Sequence, residues 1–182
     1  MLKASDNPPS LHPEDAQLDL IEGVWWVAHT KPRQEKALAR DLLRSSIPYF
    51  LPMYEARRRS RGRSWKTMLL LFPGYVFFCC NEEDRLKALD TGRIANMISV
   101  KDQVGLIAEL SSLRRVMKAG LGINPYPSLR TKTRCRVCSG PLLGMEGQVV
   151  RRKGKAKFIV TISILGQGAS VEIDGNELEP LD

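Results

Sequence analysis

The sequence predicts an α+β N-terminal domain, ordered β-α-β-β-α-β-α with helices over an antiparallel sheet, followed by a small all-β barrel. Three observations predict it. Strand-like and helix-like runs alternate from Val24 to Lys118. A stretch holding Gly120, Gly122, Pro125 and Pro127 then shows no periodic apolar face. The remaining residues consist of short β-branched runs between Gly-rich or basic turns. At 182 residues and 43% hydrophobic, the chain has enough apolar material for these two small cores. The expected boundaries are a disordered acidic tail over 1–22, the α+β domain over 23–118, a flexible linker over 119–132 and the all-β module over 133–182.

Val24 to Thr30 is β-branched and aromatic and reads as a strand, which Lys31-Pro32 stops while opening a helix at its first turn. From Arg33 to Ser45, Ala37, Leu38, Ala39, Leu42 and Leu43 gather on one side and leave Arg33, Lys36, Arg40 and Arg44 towards water. Tyr49 to Arg57 reads as a strand whose Pro52 calls for an edge position or a bulge. The run from Arg57 to Lys66 is a charged, glycine-broken hairpin tip. Thr67 to Cys80 is apolar enough for a central strand, with a local irregularity at Pro73-Gly74. Glu82 to Leu89 is a short helix capped by Asn81, Ile94 to Val100 a strand, and Gly105 to Lys118 a helix with Ile107, Leu110, Leu113 and Met117 at helical spacing. Four further strand runs follow at Arg134 to Cys138, Gly147 to Arg151, Phe158 to Leu165 and Ala169 to Ile173, with Phe158, Val160, Ile162 and Ile164 on one face.

Charge is distributed unevenly. The chain carries +8 overall, yet residues 1–23 hold one Lys against Asp6, Glu14, Asp15, Asp19 and Glu22, while residues 31–66 hold eleven Lys and Arg against Glu35, Asp41 and Glu55. A local positive field of this kind suits a polyanion such as nucleic acid. The four cysteines, Cys79-Cys80 and Cys135-x-x-Cys138, do not form a secreted disulfide framework and point to a reduced, cytoplasmic setting. A single CxxC without a second pair, and with only His12 and His29 elsewhere, predicts no metal and no cofactor. If Arg134 to Cys138 is a strand, its two thiols point to opposite faces. No apolar run reaches the ~18–20 residues of a membrane span, so membrane association is not expected. No Ser-His-Asp grouping, GxxxxGK[ST] or HExxH occurs, and the chain is expected not to be an enzyme.

Two sequence blocks resemble the NusG family of transcription elongation and antitermination factors. Trp25-Trp26-Val27, Lys31-Pro32-Arg33 and Leu71-Phe72-Pro73-Gly74-Tyr75-Val76-Phe77 resemble its N-terminal domain. Gly140-Pro141-Leu142-Leu143-Gly144-Met145-Glu146-Gly147-Gln148-Val149 resembles a KOW module, an SH3-like barrel, continued by Ser163 to Gly166 and Val171 to Asp174. Tyr49 to Met53 before a basic hairpin looks more like the specialised paralogues, RfaH and the polysaccharide-operon regulators. The KOW segment is dense in Ile159, Val160, Thr161, Ile162 and Ile164, which suit a permanent β-form without autoinhibition.

The resemblance implies a monomer that docks the clamp helices of the RNA polymerase β′ subunit, with Phe72, Pro73, Tyr75, Phe77 and His29 as candidate contacts. Tyr75 and Phe77 share a strand face and are expected to be buried or exposed together. Non-template DNA near the upstream fork would meet Lys31, Arg44, Arg57, Arg58, Arg59, Arg61, Arg63 and Arg93. An exposed turn with Ile164 and Leu165 would recruit ribosomal protein S10 or Rho. The function implied is suppression of pausing or termination by a specialised paralogue. A housekeeping NusG and a ribosome-associated KOW RNA-binding protein remain the alternatives.

Overall fold

Val24–Thr30 (β2) forms the expected strand, and its partners build a five-stranded antiparallel sheet around it. The computed structural model describes residues 7–60, 62–126, 133–152 and 155–181. Packing divides the chain into two units, Met1–Gln103 and Val104–Asp182.

The sheet of the first unit joins Leu11–His12 (β1), Tyr49–Phe50 (β3), Tyr75–Cys80 (β6), β2 and Ile94–Ser99 (β7), in the order β1-β3-β6-β2-β7. Register sets Leu11, Phe50, Phe77, Val27 and Ile98 in one cross-sheet row. The next row, His12, Tyr49, Phe78, Trp26 and Ser99, faces the other way. That second face holds the core cluster, where Ala28, Tyr49, Val76, Phe78 and Cys80 meet Leu38, Ala39 and Leu42 of Glu35–Arg44 (α1) and Ala88 of Glu82–Asp90 (α2). Asn81 caps α2 as expected, accepting the Asp84 N–H at 2.9 Å. On the opposite face Trp25, Val27, Phe50, Phe77 and Cys79 are all buried.

Several expectations are corrected. α1 begins at Glu35, two residues later than read, because Arg33 takes a left-handed φ of 62° and the chain turns before entering the helix. Lys36 does not face water: its Nζ donates to the Met68 carbonyl at 2.8 Å and to Asn7 Oδ1 at 2.6 Å, and burial lowers its pKa. The prolines divide two predicted strands. Leu51-Pro52 separates β3 from Met53–Ser60 (β4), and residues 71–74 separate Arg63–Leu70 (β5) from β6. The Leu71 N–H donates to the Pro52 carbonyl at 2.9 Å, and β4 with β5 forms a sheet of its own. Arg57 to Ser60 and Arg63 to Lys66, read as a loose tip, are therefore in a paired ladder.

The segment expected to be a disordered tail is, over residues 7–22, an ordered strap. β1 pairs with β3, the Leu51 N–H donates to the Ser10 carbonyl at 2.7 Å, and Tyr49 Oη donates to the Pro9 carbonyl at 3.0 Å. Leu11 and Leu18 are buried. Two leucines and the pairing groups of an edge strand suffice to hold a stretch whose composition is otherwise polar.

In the second unit, Gln103–Lys118 (α3) buries Leu106, Leu110, Leu113 and Val116, a stripe rotated from the expected one. Gln103 itself, in the first unit, holds Trp25 through both backbone groups: its Oε1 accepts the Trp25 N–H at 2.8 Å and its Nε2 donates to the Trp25 carbonyl at 2.9 Å. A six-stranded antiparallel sheet contains Ile123–Tyr126 (β8), Thr133–Val137 (β9), Glu146–Arg152 (β10), Lys155–Ile162 (β11), Gln167–Ile173 (β12) and Leu178–Pro180 (β13), in the order β13-β9-β10-β11-β12-β8. β8 lies where a linker was expected and pairs with β12, because an edge strand needs partners for its backbone groups more than an apolar face. Phe158, Ile159, Val160 and Ile162 are all buried, so β11 is covered on both faces. Gly147 permits this packing, since a Cβ there would lie 2.5 Å from the Phe158 ring.

Candidate functional site

The turn between β5 and β6 is fastened at Gly74. Its N–H donates to the Glu35 carboxylate at 2.8 Å, its carbonyl accepts the Thr30 N–H at 2.8 Å, and its φ of 89° favours glycine. Glu35 sits in the first turn of α1 and is buried. Pro73 is thereby left exposed at the crest of the turn. Just beyond it Tyr75 stacks on His29, with ring centroids 5.1 Å apart and planes at 28°. His29 is exposed and Tyr75 half-buried.

Tyr75 and Phe77, expected to be buried or exposed together, differ in depth. Phe77 is 0% exposed and Phe72 1%, and the two rings meet edge to face at 6.2 Å. Face alone does not decide exposure. Tyr75 opens β6 opposite His29 near the end of β2, whereas Phe77 lies inside the row flanked by Phe50 and Val27. Of the five candidate docking residues, the structure brings His29, Pro73 and Tyr75 to the surface and places Phe72 and Phe77 beneath them.

The basic candidates fall into two groups. Asp41 of α1 gathers Arg44, at 2.9 Å, and Arg93, whose Nη1 also donates to Gln34 Oε1 at 2.5 Å. Lys31 is exposed beside them, its N–H donating to the Arg93 carbonyl at 2.8 Å. The second group is the β4–β5 ladder, with Arg57, Arg58, Arg59 and Arg63 exposed; Arg61 lies outside the described residues. Lys66 pairs with Glu55 at 2.9 Å.

In the second unit, Ile164 and Leu165 sit in a 3-10 turn and are half-buried, not exposed as expected. Glu109 of α3 holds the start of that turn, accepting from the Ser163 N–H at 2.9 Å and from its hydroxyl. Cys135 is buried and Cys138 exposed. Among the described residues no three His, Cys, Asp or Glu side chains converge on a metal-sized site. No helix among them is long and apolar enough to cross a membrane.

Sequence reasoning missed Glu35, which holds the Gly74 turn, Asp41, which gathers Arg44 and Arg93, and Gln103, which holds Trp25 in β2. Each lies in or at the start of a helix and bonds a residue 39, 52 or 78 positions away, so no local pattern announces it.

A family model described as Transcription termination factor nusG matches residues 23–117, more than half of the chain. The chain belongs to the NusG family. This is a non-enzymatic family of transcription factors whose members generally bind RNA polymerase. The NusG match begins at the end of the acidic strap and ends within α3. No curated protein matches the chain.

Proposed function

We propose that the chain is an elongation and antitermination factor that docks the clamp helices of the polymerase β′ subunit on the surface formed by His29, Pro73 and Tyr75. The observation that carries this reading is the stacked His29–Tyr75 pair, with His29 exposed and Tyr75 half-buried at one end of the sheet. An amphipathic aromatic pair over a fixed turn is the kind of anchor that gives a helical partner affinity at low entropic cost. Lys31, Arg44, Arg93 and the hairpin arginines then contact non-template DNA near the upstream fork. Binding of this kind shifts the polymerase between paused and elongating states without a chemical step.

The C-terminal strands act as a KOW module in this reading, recruiting ribosomal protein S10 or Rho through Ile164 and Leu165. The half-burial of both side chains means that such a partner would have to reshape the turn or read its rim. The Tyr49 to Met53 segment and the basic ladder favour a specialised paralogue over a housekeeping factor. Transcription by purified polymerase on a template with defined pauses and a Rho site tests the function. Adding the full chain is expected to shorten pause lifetimes or increase read-through, and unchanged lifetimes and termination at saturating chain refute it.

A further inference from the structure

The β4–β5 ladder presents two chemically different faces. Tyr54, Ala56 and Arg58 share one with Leu69, Thr67, Trp65 and Arg63, whereas Glu55, Arg57 and Arg59 share the other with Met68, Lys66 and Ser64. The second face is ionic towards the tip, while at its base Met53, Met68 and Leu70 join the core. The first carries two rings and two guanidinium groups, with Arg58 directly opposite Trp65 in register and Tyr54 directly opposite Leu69, four residues further along.

Neither Tyr54 nor Trp65 belongs to the core cluster, and both are half-buried on a two-stranded sheet of its own. The Trp65 indole N–H is covered yet finds no hydrogen-bond acceptor among the described residues. A covered donor without an acceptor is costly to a fold.

We propose that this face is a stacking platform for an unpaired nucleic-acid strand, with Trp65 and Tyr54 against base faces and Arg58 and Arg63 on phosphates. The proposal rests on the reading of the hairpin as a nucleic-acid contact and specifies its ligand. Two features choose a single strand over a duplex and over a protein. Aromatic rings stack on base faces that a duplex keeps hidden. The surrounding charge is arginine on both strands of the ladder, complementary to a phosphate backbone. The Tyr54 and Trp65 rows lie four residues apart along the ladder, ~13 Å, so a strand crossing the face can meet both rings.

The test is fluorescence anisotropy of an end-labelled single-stranded oligonucleotide titrated with the full chain, with a duplex of the same length in parallel. Trp65→Leu keeps an apolar side chain and removes the ring. It is expected to weaken single-strand binding about tenfold or more, while duplex affinity and the salt dependence stay as in the unmodified chain. Trp65→Phe is expected to restore most of the loss. Arg57→Ser with Arg59→Ser, on the other face, is expected to weaken both ligands alike and flatten the salt dependence. Single-strand binding unaffected by Trp65→Leu, or an equal loss on the duplex, overturns the stacking platform and leaves the hairpin as a plain phosphate contact. Failure of the unmodified chain to bind a single strand at all overturns both the platform and the nucleic-acid reading of the hairpin.

Discussion

Replacing Glu35 with alanine removes the acceptor of the Gly74 N–H without touching the surface that Pro73 and Tyr75 present. The carboxylate is 8% exposed and the bond is 2.8 Å, so water does not readily take its place. A hydrogen bond to a charged acceptor contributes about 1.5–3 kcal/mol, and an acid in the first turn of a helix adds about 0.3–1 kcal/mol. Glu35→Ala is therefore expected to cost about 2–4 kcal/mol. Glu35→Gln, which keeps an oxygen at the same reach and loses the charge, should cost about 1 kcal/mol. Hydrogen exchange at the Gly74 amide reads the effect where it arises: a loss of about 2 kcal/mol speeds local opening roughly thirtyfold. Thr30 and Tyr75 should follow, because the turn ties their backbone to Gly74 and Phe72. Equal protection of Gly74 in the parent and the alanine variant would show that the carboxylate does not hold the turn.

Three further expectations concern the rest of the chain. Under native conditions a thiol reagent should label Cys138 rapidly, with Cys79, Cys80 and Cys135 reacting only on unfolding, since these three are buried; rapid labelling of a second thiol contradicts this. Burial pushes Cys79 up to about 11, and Cys80 and Tyr49 up to about 12. Unfolding frees these groups to ionise at their ordinary values, so the stability they contribute is fully present below about pH 9 and is lost as pH rises to about 12. The urea midpoint should fall over that window, and a flat midpoint refutes the burial of the three groups. Gly147→Ala should destabilise the C-terminal sheet by about 1–3 kcal/mol, because the new methyl meets the Phe158 ring and the Ile159 carbonyl. Circular dichroism during thermal unfolding checks it, and an unchanged transition would mean that the ring has room to move.

Much of the first unit was legible because its elements carry local signals. The β-branched and aromatic run of β2, the apolar stripe of α1 and the Asn81 cap each reflect physics contained in a few neighbouring residues. What was misread depends on partners far along the chain. Leu11 and Leu18 look like stray leucines in an acidic tail until β3 supplies an edge to pair with. Ile123–Tyr126 looks like a linker until β12 supplies another. Pro52 and Pro73 announced an irregularity, yet only the register shows that both fall at the same bend and detach the β4–β5 ribbon. Alternation correctly put Tyr75 and Phe77 on one face, but their different depth along the sheet separates a surface ring from a core ring. That distinction leaves His29, Pro73 and Tyr75 as the surface members of the five residues proposed for docking.

The most direct measurement is a titration of the full chain with a helical hairpin carrying the polymerase β′ clamp helices, followed by calorimetry, for the parent, Tyr75→Ala and His29→Ala. Both substitutions leave the buried Phe72–Phe77 contact in place. Each is expected to weaken binding about tenfold or more, with Trp65→Leu binding like the parent. Parent-like affinity in both variants, or no binding by the parent chain, would contradict the assignment of this surface to the polymerase.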